Sequence, residues 1–344
     1  MKYTTLPNTD IKVSKICLGT MTFGEQNTAE EGQAQLNYAI DQGVNFIDTA
    51  ELYSVPNPRI ETYGSTERII GNWLAQRGKR DDVVIASKIA GPAEISKHIR
   101  TGGYAKQELE DAIHKSLTRL QTDYIDLYQL HWPERPANFF GQLGYKHRDD
   151  DQWEDNFQQI LEDLKGFIQA GKIRHIGLSN ETSFGLSRCL EEARKGLPKM
   201  ITVQNPYSLL NRKDEIGLTE IMHRGEVGHL PYSPLGFGQL TGKYLNEYPS
   251  KGRVTLFPNY KRYHGELSFE ATRRYKAIAD AHGLSLTQMA LAFVNTRPFV
   301  TANIIGATSL EQLKENIGSI AIDLSDEVLE KIEAVHTAIP NPAP

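Results

Sequence analysis

The chain has 344 residues, 39% of them hydrophobic, and a formal net charge of −5 with acidic and basic residues interspersed. That balance leaves no cationic face for nucleic acid or an anionic membrane, and no apolar run approaches the ~18 residues of a membrane span. Two cysteines, Cys17 and Cys189, are too few for a disulfide framework or a thiolate metal site. The opening MKYTTLPNTD lacks the apolar stretch of a signal peptide, so a cytoplasmic location is the expectation.

From the N-terminus, residues 1–13 read as a β-hairpin turning at Pro7, Asn8 and Asp10, placed to plug one end of whatever follows. Short apolar runs then alternate with amphipathic stretches. The strands are 16-ICLG-19, 44-VNFI-47, 83-VVIAS-87, 124-YIDLYQL-130, 173-IRHIGLS-179, 201-ITVQN-205, a weak 227-VGHLPYS-233 broken by Pro231, and 303-NIIGA-307. The spacing predicts helices over 29–43, 65–78, 106–120, 156–171, about 183–195, about 213–224, 268–282, 285–296 and 309–318, and a tail helix from Ser325. Gly43 and Gly78 suit left-handed caps, and Leu109, Ile113, Leu117 and Leu120 share one helix face. Eight strand–helix units in unbroken alternation predict a parallel sheet with helical crossovers. Closure into an α/β (β/α)8 TIM barrel, with an N-terminal hairpin and a C-terminal helix, accounts for the length, as one domain over 1–344.

In such a barrel the reactive groups belong at the C-terminal ends of strands. Asp48 and Tyr53 follow the second strand, Lys88 the third and His131 the fourth. Each alone has an ordinary structural explanation; together they equip one rim for proton transfer. A phenol is a weak acid, with a reference pKa near ~10, and an ammonium beside it lowers that value. Asp48 is placed to hold the Lys88 ammonium, and a neutral His131 to direct a carbonyl oxygen. Such a set delivers a proton to a carbonyl, and the hydride must then come from a cofactor. No G-x-G-x-x-G follows the first strand, which argues against a Rossmann site; 236-GFGQLTG-242 has the wrong spacing. Met21, Phe23, Trp132, Phe139 and Phe140 are candidates for an apolar substrate cleft, and the long 133–155 connection is a candidate lid.

The motifs 18-LGTMTFG-24, 48-DTAELY-53, 85-IASK-88, 129-QLHWP-133, 177-GLSN-180 and 203-VQNPYS-208 together resemble the aldo-keto reductases, NADP(H)-dependent (β/α)8 oxidoreductases, over about residues 3–337. Within that family the chain looks most like the bacterial Tas-type reductases, and also like the β subunits of voltage-gated potassium channels. The resemblance implies reduction of aldehydes or ketones, with Tyr53 as proton donor beside Asp48, Lys88 and His131. It places Ser179, Asn180 and Gln204 on a nicotinamide carboxamide, Tyr232 stacked on the ring, and Gly19, Thr20, Met21 and Asp48 nearby. It also implies a pyrophosphate-covering loop formed by Ser233, Pro234, Leu235, Gly236, Phe237, Gly238, Gln239, Leu240, Thr241, Gly242 and Lys243. Lys243 and Arg253 then meet the phosphate end, and Gly306, Thr308, Gln312, Glu315 and Asn316 form an adenosine-phosphate clamp. Other members carry Lys and Arg at the positions of Gly306 and Gln312, which shifts the NADP preference onto Lys243 and Arg253 and leaves NAD use open. The channel-subunit likeness keeps open a second reading, a cofactor-binding, redox-sensing regulatory subunit. A third, a barrel lyase with Lys88 as a Schiff-base nucleophile, is disfavoured because Asp48 keeps the ammonium charged.

Overall fold

The structure, a computed structural model, describes residues 1–56 and 58–344. The hairpin forms as β1 (Tyr3–Thr5) and β2 (Lys12–Ser14), paired antiparallel. Eight parallel strands follow: β3 (Ile16–Gly19), β4 (Phe46–Asp48), β5 (Val84–Ile89), β6 (Ile125–Leu130), β7 (Ile173–Ser179), β8 (Met200–Gln204), β9 (Gly228–His229) and β10 (Asn303–Ile305). They hydrogen-bond in chain order, with β10 beside β3. The seam between β9 and β10 closes through Thr301 N–H on the His229 carbonyl (2.9 Å) and Ile304 N–H on the Pro231 carbonyl (2.9 Å). The sheet therefore curls into a barrel, as the strand–helix alternation predicts.

Helices α1 (Ala29–Asp41), α2 (Ser65–Arg77), α3 (Lys106–Leu120), α4 (Phe157–Gln169), α5 (Ser183–Arg194) and α6 (Leu218–Arg224) cover the outside. After β9 come α7 (Arg253–Leu256), α8 (Glu266–Ala281) and α9 (Leu286–Thr296), and after β10 come α10 (Leu310–Gly318) and α11 (Asp326–Ala338). Thr28 and Glu31 make a reciprocal capping box that starts α1, and Ser309 and Ser325 cap α10 and α11. Leu109, Ile113, Leu117 and Leu120 of α3 are all buried against the sheet. Among the described residues no single helix is long and apolar enough to cross a membrane.

The barrel interior is filled by Cys17, Phe46, Val84, Ala86, Leu127, Ile201, Leu230, Ala302 and Ile304, and Leu6 and Val13 of the hairpin belong to the same cluster. The hairpin thus closes the N-terminal end with apolar side chains.

Several boundaries differ from the sequence reading. β9 has two residues where seven were expected, because Pro231 has no N–H to donate to the ladder, although its carbonyl still takes a seam bond. β5 runs on to Ile89, so Lys88 lies inside a strand and not after it. The 213–224 stretch divides at Gly217 into a single 3₁₀ turn (Lys213–Ile216) and α6. α2 begins from a left-handed Gly64 without a side-chain cap, and Ser65 Oγ donates to Ser54 Oγ instead (3.2 Å).

Candidate active site

The register of the barrel puts one polar residue of each of several strands at the same height. Asp48 pairs with Gly19 on one side and Ala86 on the other, Lys88 with Gln129, and Ser179 with Gln204. Lys88 has no exposed surface, and its Nζ donates to Asp48 Oδ2 (2.7 Å) and to the Thr49 carbonyl (2.6 Å). The other Asp48 oxygen, Oδ1, accepts from Gln204 Nε2 (2.8 Å) and Gln129 Nε2 (3.4 Å). A buried carboxylate is thus satisfied on both oxygens, which buried charge requires.

Tyr53 stands half-buried above this pair, its ring centroid 4.9 Å from Lys88 Nζ and 5.8 Å from the His131 ring, edge to face. Burial raises the phenol well above its ordinary pKa, Asp48 adds to the rise and Arg253 opposes it. The net direction is thus opposite to the one expected from Lys88 alone: the ammonium is paired with Asp48, and desolvation outweighs the nearby cations. His131 is held well below its usual pKa, by burial first and by Lys88 second, so the imidazole is neutral at pH 7. Its Nδ1 is buried without a partner among the described residues. Trp132 packs 4.8 Å from the His131 ring.

These groups form one wall of a cleft of about 720 Å³. The cleft runs from Trp132 and Phe140, past Asp48, Tyr53 and His131, to Gly306, Thr308, Gln312, Glu315 and Asn316 beside the capped start of α10. Gly19, Thr20, Met21, Ser179, Asn180, Gln204, Tyr232, Ser233, Pro234, Leu235, Phe237, Gly238, Thr241, Lys243 and Arg253 line it as well. The amides near its centre are mutually engaged. Asn180 Nδ2 donates to the His131 carbonyl (2.9 Å), Tyr232 Oη donates to Asn180 Oδ1 (2.6 Å), and Ser179 Oγ donates to the Gln204 carbonyl (2.9 Å).

Not every residue singled out in the sequence reaches the cleft. Gly236, Gln239, Leu240 and Gly242 stay out of its lining. Leu240 is core, Gln239 donates to Thr272 Oγ1 (3.2 Å), and Gly236 and Gly242 supply left-handed turns at φ 54° and 77°. Gly238 does line it, at φ 92°, and a Cβ there would come within 2.8 Å of Lys243 Cε, so glycine lets that lysine fold back over the loop. Phe23 is fully buried against Gly32 of α1 and Phe139 packs on Phe140, so neither lines the cleft; Met21, Leu52, Val55, Ile95, Trp132 and Phe140 form its apolar end.

The far end is cationic. Lys243, Lys251 and Arg253 face the cleft and none makes an ion pair among the described residues. Burial, and then Arg253, holds Lys243 below its ordinary value, and burial lowers Arg253 too. Lys251 is exposed, but Lys243 and Arg253 are half-buried without a carboxylate, which is costly unless an anion joins them, and a dinucleotide's phosphates are such an anion. The donor set therefore fits a nicotinamide dinucleotide laid along the cleft.

The Aldo/keto reductase family model matches residues 15–337. The chain belongs to this family. It is 50% identical to Protein tas of Escherichia coli K12, with all of both chains covered. It is 31% identical to the uncharacterized oxidoreductase YrpG of Bacillus subtilis, over 97% of this chain and 96% of that one. Norsolorinic acid reductase B of Dothistroma septosporum is 27% identical over 96% of this chain and 80% of its own. This aldo/keto reductase is thus an oxidoreductase by family. Cleft residues that the sequence did not point to are Gln26, Lys251, Asn259, Tyr260, Arg262, Ser285 and Thr287, and Gln129 behind them. Only Gln129 carried a signal, as the residue two before His131 on a strand whose side chains alternate.

Proposed function

We propose that this chain is a cytoplasmic NADP(H)-dependent reductase of aldehydes or ketones, with Tyr53 as the proton donor. The observation that carries the reading is the Asp48–Lys88 pair sealed beneath Tyr53, in a cleft whose other end holds unpaired cations. When bound, NADP(H) supplies the hydride. Lys243, Lys251 and Arg253 would hold its phosphates, and Ser179, Asn180, Gln204 and Tyr232 its nicotinamide end.

The chain's own residues do the rest. Tyr53, a phenol that is protonated at neutral pH and that burial makes less acidic still, offers an O–H to a carbonyl oxygen placed between it and His131. Neutral His131 directs that oxygen without adding charge. Lys88, fixed by two short hydrogen bonds, sits behind the phenol as negative charge gathers in front of it. Met21, Leu52, Trp132 and Phe140 exclude water from the reacting end. The relative named norsolorinic acid reductase B supports a reduction as the reaction class. The test is NADPH consumption with a panel of aromatic aldehydes, comparing Tyr53→Phe: turnover is expected to fall at least ~100-fold in the variant. Equal turnover removes Tyr53 from the reaction.

A further inference from the structure

Two residues before Tyr53, Glu51 has no exposed surface, an expensive place for a carboxylate. Its Oε1 accepts from the main-chain N–H of Ala90 (2.7 Å) and from Arg100 Nε (3.0 Å). Its Oε2 accepts from Arg100 Nη2 (2.7 Å) and the Tyr63 hydroxyl (3.3 Å). Its own N–H donates to the Lys88 carbonyl (3.2 Å). One residue therefore ties the loop carrying Tyr53 to the end of the strand carrying Lys88 at two places, Lys88 itself and the Ala90 amide one residue past β5. Arg100, whose side chain is also fully buried, is braced in turn by the Glu108 main-chain oxygen and carboxylate, both at 2.9 Å.

A buried ion pair is a poor device for stability alone, since well-packed apolar residues of similar volume commonly serve a fold as well. An apolar side chain could not accept the Ala90 N–H. We infer that Glu51 is a positioning residue: braced by Arg100, its carboxylate locks the Tyr53 loop onto β5 and so fixes the phenol over Lys88. This rests on the reductase reading of the site. The ring lies 4.9 Å from Lys88 Nζ, and a shift of ~1 Å in such a geometry can lower a rate about 100-fold.

Glu51→Asp separates the lock from the charge pair. Arg100, long and flexible, can follow the shortened carboxylate; the Ala90 amide, fixed in the backbone, cannot. The expected result is a kcat lowered about 10- to 100-fold, with NADPH affinity from fluorescence quenching within about twofold of the parent. NMR of ring-labelled tyrosine then shows the Tyr53 phenol titrating closer to ~10 than in the parent, because the loosened loop admits water. An unchanged kcat with an unchanged Tyr53 titration overturns the inference, and so does a loss of kcat matched by the loss of NADPH affinity. Were the parent itself inactive on every carbonyl, the reductase reading would fail while the titration still decided the role of Glu51. Independently of any variant, the Ala90 amide proton of the parent is expected to exchange as slowly as its β5 neighbours; rapid exchange would equally sink the idea.

Discussion

Replacing Lys88 with Met leaves the Asp48 carboxylate buried with only the Gln204 and Gln129 amides around it. Unit charges 2.7 Å apart attract by about 6 kcal/mol at an effective dielectric of ~20. Desolvation of the two ions consumes much of that attraction, so breaking the pair from one side is expected to cost about 3–5 kcal/mol. Asp48→Asn should cost a similar amount, since the ammonium would keep only the Thr49 carbonyl as a full partner. The double variant removes both charges and should recover most of the loss. Urea unfolding of the parent, both single variants and the double variant closes the cycle. The expected coupling is at least about 2 kcal/mol, and additivity within ~0.5 kcal/mol would show that the pair is not the electrostatic unit described. None of the three variants is expected to turn over a carbonyl, whatever its stability, so regained stability with regained turnover would also refute the reasoning.

His131 is depressed in the folded chain, so the unfolded chain takes up its proton first as the pH falls. Its contribution to stability is therefore complete above the unfolded pKa near ~6.5 and is lost as pH drops below it, at up to about 1.4 kcal/mol per pH unit. His131→Gln should flatten the acid limb of stability, measured by urea midpoints at pH 5 and 7; an identical limb in the variant means the imidazole is not buried neutral. Arg253→Met should weaken NADPH about 10- to 100-fold by fluorescence titration, with a smaller effect on NADH, as expected for a guanidinium on a 2′-phosphate. Equal weakening of both cofactors would move Arg253 to another part of the dinucleotide.

The alternation of apolar runs with 3.6-residue patterns fixes most of the barrel before any coordinates. α3 spans Lys106–Leu120, the stretch predicted, because four leucine and isoleucine positions and a terminating Gln121 leave little freedom. β9 was misjudged because its pairing comes from the seam with residues 299–304, some seventy residues later, which no local pattern records. The polar rim is legible because β4 ends on Asp48 and β6 ends just before His131, while Lys88 sits one residue inside the end of β5. What the sequence did not disclose is which residues share a partner. Gln129 and Gln204 both turn to Asp48 Oδ1, and Glu51 reaches across to Ala90 and Arg100, through contacts between strands that periodicity cannot rank. Phe23 shows the opposite error: an aromatic next to a cleft motif that packs outward under α1.

The raised pKa of Tyr53 changes what Lys88 must do. Had the ammonium been free, it would have pulled the phenol toward ionisation, and a phenolate has no proton to give. With Asp48 2.7 Å away, the ammonium is paired, and burial together with the Asp48 charge sets the direction of the shift on the phenol. The phenol thus keeps its proton through the neutral range. In the reaction proposed above, transfer would be driven from the other side, by the basicity that a carbonyl oxygen gains as it becomes an alkoxide, and Tyr53 would need to be well placed more than acidic. On that view the largest losses of rate should come from residues that fix the phenol's position, Lys88 and Glu51 among them, even where the charge on Asp48 is left intact.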